Sequence, residues 1–112
     1  MKIAIPVVDQ KLCLHFGHCA QFAMVEVDDQ EKTLTSTEFM EPPAHEPGVL
    51  PKWLNDQGVN VILAGGMGSR AQQLFEQNGI RVVVGCAPAT PETLVEAYLA
   101  GELETGDNAC DH

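Results

Sequence analysis

Val59-Asn60-Val61-Ile62-Leu63-Ala64-Gly65-Gly66-Met67-Gly68-Ser69 decides the fold, because within it the hydrophobic period changes. Val59 to Ala64, apolar except for Asn60, reads as a short strand buried on both faces. Gly65 to Ser69 turns the chain. Beyond it Ala71, Leu74 and Phe75 recur at helical spacing, and Gly79 closes the helix. Ile80 to Val84 is a second buried strand. A helix between two such strands makes them parallel neighbours joined by a right-handed crossover.

The same grammar extends in both directions. Downstream, Gly85 to Ala89 is a turn, and Thr90-Pro91-Glu92 supplies a helix cap, a first-turn proline and a first-turn acid. Leu94, Val95, Tyr98 and Leu99 give that helix its apolar face. Upstream, Pro51 lies in the first turn of a helix with Leu50, Trp53 and Leu54 on one side and Gly58 as its C-cap.

Lys2 to Val8 is apolar on both faces and reads as a central strand. Gln21 to Val27 and Lys32 to Phe39 alternate around the turn Asp28-Asp29-Gln30-Glu31, so they form a hairpin with the more polar strand at the sheet edge. Asp9 to Ala20 is read as one loop, too long for a tight turn. Glu41 to Gly48, with three prolines, is an irregular connection. The order is strand, strand, strand, helix, strand, helix, strand, helix. Strands one, four and five are expected to be parallel, the second to run opposite and the third to run with the first. Four carboxyl ends then share one edge, where open α/β sheets bind ligands.

The chain has 112 residues, enough for one domain and one core, and 45% hydrophobic residues. A formal net charge of -10 argues against nucleic acid and against anionic lipid surfaces as partners. The apolar run after Met1-Lys2 is too brief for a signal peptide or a membrane span, so a cytoplasmic protein is expected. There, four cysteines read as thiols or metal ligands rather than disulfides.

Chemistry concentrates in Cys13-Leu14-His15-Phe16-Gly17-His18-Cys19, which holds two of the four histidines and two of the four cysteines. Soft-metal ligands packed into a loop between strands suggest a site, and Gly17 lets the backbone turn between the two imidazoles. The spacing is not that of a zinc finger, since no second close pair follows until Cys110 and His112. The packing readings stand beside this one: Cys13 and Cys19 as small buried hydrophobes, Cys86 as core rather than ligand, and His45 as an exposed loop residue. Gly65, Gly66 and Gly68 leave backbone N–H groups at a helix N-terminus, with Arg70 in the first turn, where an anion can sit. Neither the dinucleotide fingerprint nor the P-loop pattern is present, which argues against a nucleotide.

The motifs Met1-Lys2-Ile3-Ala4-Ile5-Pro6, His15-Phe16-Gly17-His18 with Phe22, His45 with Leu50-Pro51-Lys52-Trp53-Leu54, and Ala64-Gly65-Gly66-Met67-Gly68 with Ala71, then Gly101 with Leu103, together span nearly the whole chain. In them the sequence resembles the dinitrogenase iron-molybdenum cofactor biosynthesis family, the NifX-like carriers and their small stand-alone relatives. The resemblance implies a ribonuclease-H-like α/β/α three-layer fold with a mixed five-stranded sheet and one antiparallel strand. It also implies a single family domain over residues 1–103, followed by a flexible Cys/His-containing tail over 104–112.

For function, the resemblance implies binding and carriage of an iron-sulfur or iron-molybdenum cluster without catalysis, with cluster assembly and acceptor proteins as partners. By the resemblance His15, His18 and His45 are candidate cluster ligands, and Cys110 and His112 look like the short Cys-x-His ending of the stand-alone relatives, whereas Cys19 is a metal-ligating candidate from its place in the loop and not from the family pattern. Gly65, Gly66, Gly68 and Arg70 form the anion-holding side. A monomer or homodimer is expected. Two other classes remain: an interaction or regulatory module with a structural histidine loop, and, ranked lower, a metal-dependent hydrolase. The last needs several carboxylates at the strand ends for magnesium, and only Asp9 is so placed.

Overall fold

The structure is a computed structural model that describes residues 1–13, 21–43, 49–103 and 105–106. Its elements in chain order are β1 (Lys2–Val8), β2 (Lys11–Leu12), β3 (Gln21–Asp28), β4 (Thr33–Met40), α1 (Val49–Asp56), β5 (Val61–Leu63), α2 (Ser69–Gln77), β6 (Arg81–Val83) and α3 (Pro91–Ala100). Turn chemistry fixes several boundaries. The Asp28 carboxylate accepts the N–H groups of Gln30 and Glu31, closing the β3–β4 hairpin. Thr90 caps α3 by accepting from the Thr93 N–H, and Gly101, at φ 73°, ends that helix in the left-handed conformation.

The sheet order is β4-β3-β1-β5-β6, with β2 pairing on β1. β1 runs parallel to β5 through Ile3–Val61 and Ala4–Ile62, and β5 runs parallel to β6. β3 runs antiparallel to both β1 and β4. These are the directions the sequence predicts, with the threonine-rich β4 at the edge. The strand count is different: the sheet has six strands, not five, and both β2 and β3 run against β1.

The extra strand comes from the start of the segment read as one long loop. Asp9 and Gln10, at φ 53° and 67°, make a two-residue turn of the kind that matches strand twist, and Val7–Leu12 and Val8–Lys11 pair across it. The usual glycine signal is missing from that turn, which is why the hairpin is hard to read from the residues.

Side chains alternate along the strands and build two separate cores, one on each face. Ile3, Ile5, Val7, Ala23, Val25, Val61 and Leu63 meet Leu94 and Val95 of α3. Ala4, Phe22, Met24 and Ile62 meet Leu50 and Leu54 of α1 and Phe75 of α2. The fold is therefore three-layered, helix on sheet on helix. No helix among the described residues is long and apolar enough to cross a membrane.

Candidate functional site

The topology gathers chain ends at one edge. Cys13 donates its N–H to Pro6 O, and Gln21 pairs with Val7, so the described residues on either side of 14–20 lie at the carboxyl end of β1. β4 ends at Met40, opposite Phe22, at the same level. Residues 44–48 then lie between that end and the start of α1, the helix that feeds β5. The β5–α2 connection, Ala64 to Gly68, leaves from this edge too, as does the β6–α3 connection, whose Ala89 O accepts from Leu12 N–H. The edge reached by convergence of strand ends is the one a doubly covered sheet uses for ligands.

Gly65 and Gly66 are buried, whereas Gly68 and Arg70 are exposed. Gly65 O accepts from Gly85 N–H at 3.0 Å, which fixes the turn against the end of β6. Gly68 is the N-cap of α2 in extended backbone, with φ -63° and ψ 153°, and makes no side-chain cap bond. A Cβ at Gly68 would meet nothing within 4 Å, so neither backbone strain nor crowding demands glycine there. The first turn of α2 carries no acid and does carry Arg70, so the positive end of the helix dipole faces the edge without a competing carboxylate of its own. The four residues read as an anion side thus occupy the β5–α2 connection and the first turn of α2.

Cys86 is core. It is 2% exposed and packs with the α3-side cluster, and burial pushes its thiol above the ordinary value of 9.0 while a backbone hydrogen bond from Ala64 pulls the other way. A protonated buried thiol is a poor metal ligand, which agrees with the packing reading. Cys13, half-buried, packs against the α1 and α2 side of the sheet. His15, His18, Cys19, His45, Cys110 and His112 lie outside the described residues. Among the described residues no three His, Cys, Asp or Glu side chains come together to hold a metal ion.

Two features of this edge were not foreseen. One is a cleft of about 220 Å³ lined by Asp9, Gln10, Lys11, Phe39, Thr90, Pro91 and Glu92, created by the short β1–β2 hairpin folding against the start of α3. The other is a close backbone approach between Gly85 and Gly106. Gly106 N–H donates to Gly85 O at 2.7 Å, and a Cβ on Gly85 would run into Gly106, 2.8 Å from its carbonyl carbon. Contacts between residues twenty-one apart leave no local pattern; only the positive φ of Gly85, 83°, was open to a guess.

Comparison with known proteins follows the same lines. The chain is 33% identical over 109 residues to the uncharacterized protein MJ0580 of Methanocaldococcus jannaschii, covering 93% of this chain and 90% of that protein. The crystal structure of PH0822 superposes with a TM-score of 0.88 at 29% identity over the whole of both chains. The apo form of the orange protein from Desulfovibrio gigas has the same fold, with a TM-score of 0.72 at 24% identity over 96% of this chain and 93% of that one. Residues 1–101 match the family described as dinitrogenase iron-molybdenum cofactor, and the chain belongs to that family.

Proposed function

We propose that this protein binds an iron-sulfur or iron-molybdenum cluster as cargo at the carboxyl edge of its sheet and passes it from assembly proteins to an acceptor without chemical turnover. The observation that carries the reading is the common edge: the described residues that flank 14–20 and 44–48 reach it, beside the N-terminus of α2, which supports His15, His18, Cys19 and His45 as ligands. Membership of a family tied to the iron-molybdenum cofactor supports a cofactor-handling role.

The chemistry is ligand exchange. Imidazole and thiolate from the loops supply soft donors, while Gly65, Gly66, Gly68 and Arg70 offer N–H groups and a positive charge to an anionic cluster. A site made of few ligands on connecting segments binds cargo and lets it go, as a carrier must. The net charge of -10 does not prevent this, because exposed charges farther than about 10 Å are largely screened at moderate salt. Residues 1–103 form the binding domain in this reading.

Anaerobic reconstitution of the wild type and a His15→Ala/His18→Ala variant with iron and sulfide, and separately with a preformed molybdenum-iron-sulfur cluster, tests it. Stoichiometric uptake by the wild type and its loss in a folded variant is the expected result. Uptake also falls as pH drops through the imidazole range near about 6.5, since only neutral imidazole ligates. Equal uptake by both proteins, or undiminished uptake at pH 5, excludes histidine ligation; no uptake by either leaves the interaction-module reading.

A further inference from the structure

The cleft between the β1–β2 hairpin and the start of α3 contains no residue assigned to the cargo site, and its lining is chemically mixed. Asp9 and Glu92 bring carboxylates, Lys11 an ammonium, Gln10 an amide and Phe39 an aromatic ring, around a volume of about 220 Å³. All five side chains are exposed. Three elements distant in sequence hold them. Lys11 pairs with Val8 in the hairpin, and the N–H of the next residue, Leu12, anchors the hairpin to Ala89 O. Phe39 lies opposite Ala23 of β3, which belongs to the α3-side core, so the ring stands on the α3 face of the edge strand. Glu92 follows the Thr90 cap in the first turn of α3.

The hairpin tip holds its side chains against a backbone cost. Asp9 and Gln10 have φ of 53° and 67°, a region that glycine enters freely and other residues enter only against a steric penalty. Two glycines would close the same turn, but they would strip the cleft of a carboxylate and an amide. The ring adds an apolar wall. Phe39 and Val8 are the large hydrophobic side chains left exposed among the described residues, and of the two only Phe39 lines the cleft.

We propose that this cleft binds a free α-amino acid with an apolar side chain. Charge decides among the ligand classes. The ion pairs among the described residues are Met1–Asp29 and Lys2–Glu26, so Lys11 is joined to neither Asp9 nor Glu92. A bare anion would meet Lys11 but also two carboxylates, and α3 offers it little, because Thr90 takes the Thr93 N–H and Glu92 occupies the first turn. A bare amine would suit the carboxylates and the ring, but it would bring its charge beside Lys11. A zwitterion meets both signs. Its ammonium faces Asp9 and Glu92, its carboxylate faces Lys11, and its side chain covers Phe39. The cleft is smaller than the roughly 300–1,000 Å³ that take drug-sized molecules, which suits a ligand of this size. With about a dozen heavy atoms and an open rim, affinity in the millimolar range is expected. The site is independent of the cluster reading, since none of its residues is a proposed cluster ligand.

The test is a titration of the isotope-labelled full chain with L-phenylalanine, followed through backbone amide NMR shifts. Phenethylamine, phenylpropionate and glycine serve as comparisons, each lacking one of carboxylate, ammonium and side chain. Saturable shifts at residues 9–11, 39 and 92 are expected with L-phenylalanine, and affinities about fivefold weaker or worse with the other three. Lys11→Gln and Glu92→Gln should each weaken L-phenylalanine binding about threefold to fivefold, as exposed ion pairs do. Phe39→Ala should weaken it about fivefold. Val8→Ser, exposed but outside the cleft, should leave it unchanged. The substituted side chains are all exposed, so the variants are expected to fold, and circular dichroism checks that they do. Equal or tighter binding of phenethylamine overturns the proposal in favour of an amine site. Shifts confined to other residues, or wild-type affinity in both Lys11→Gln and Glu92→Gln, overturn it as well, as does the lack of any saturable shift about tenfold above the millimolar range.

Discussion

Phe22 and Trp53 meet edge to face with ring centroids 5.9 Å apart and planes inclined at 63°. Phe22 is the second residue of β3, just after residues 14–20, and Trp53 is the fifth residue of α1, just after residues 44–48. One aromatic contact thus ties together the two elements that follow the two histidine-bearing segments. Edge-to-face pairs contribute about 0.5–1.5 kcal/mol beyond the area they bury. Trp53→Leu keeps a helix former and an apolar side chain, so a loss of about 1–2 kcal/mol is expected in urea unfolding. Trp53 is the chain's single tryptophan, and its fluorescence should change on cluster loading if both segments engage the cargo.

Gly68→Asp separates the fold from the anion site. Space is open at this position, the backbone is already extended, and a carboxylate at the N-cap bonds to first-turn N–H groups. Stability measured by thermal unfolding should stay level or rise by a few tenths of a kcal/mol. Uptake of an anionic cluster should fall, because the new carboxylate occupies and repels at the same place. Unchanged uptake would remove Gly65 to Gly68 from the binding surface.

The raised pKa of Cys86 has a consequence with a definite sign. Burial favours the neutral thiol in the folded chain, so the stabilising contribution is complete below the ordinary value of 9.0 and is lost as pH rises through the higher folded value. Stability should therefore decline above pH 9, and Cys86→Ala should make that decline shallower while costing about 1 kcal/mol at neutral pH. In the native wild type at pH 8, iodoacetamide should modify Cys86 only after denaturant is added, as peptide mass mapping would show.

Asp9 and Gln10 both hold positive φ, 53° and 67°. The left-handed region costs an ordinary side chain about 1–2 kcal/mol, more than the added chain entropy of glycine. Gln10→Gly should accordingly stabilise the protein by about 0.5–1 kcal/mol in chemical denaturation. A destabilised variant would mean that the Gln10 side chain, which lines the cleft with Phe39 and Glu92, contributes more there than the turn strain costs.

How much of this was legible in the residues depends on the range of the interaction concerned. Hydrophobic period, helix caps and turn residues are local, and from them the sequence determined the α/β class, the three helices, the polar edge strand and the directions of β1, β3, β4, β5 and β6. Thr90-Pro91-Glu92 is the clearest case, since cap, proline and acid all take their expected places at the start of α3. The grouping of histidines and cysteines around 13–19 and at the end of the chain is likewise read from the residues alone.

Tertiary structure decided what local pattern does not encode. The β1–β2 hairpin forms because Leu12 fits the α3-side core and its N–H finds Ala89 O, contacts that outweigh a turn without glycine. The Gly85–Gly106 approach needed both a residue free of Cβ and a chain returning from α3, and neither residue announces the other. A periodic pattern records which face of an element is apolar; which distant backbone comes to rest against that element is settled only when the whole chain packs.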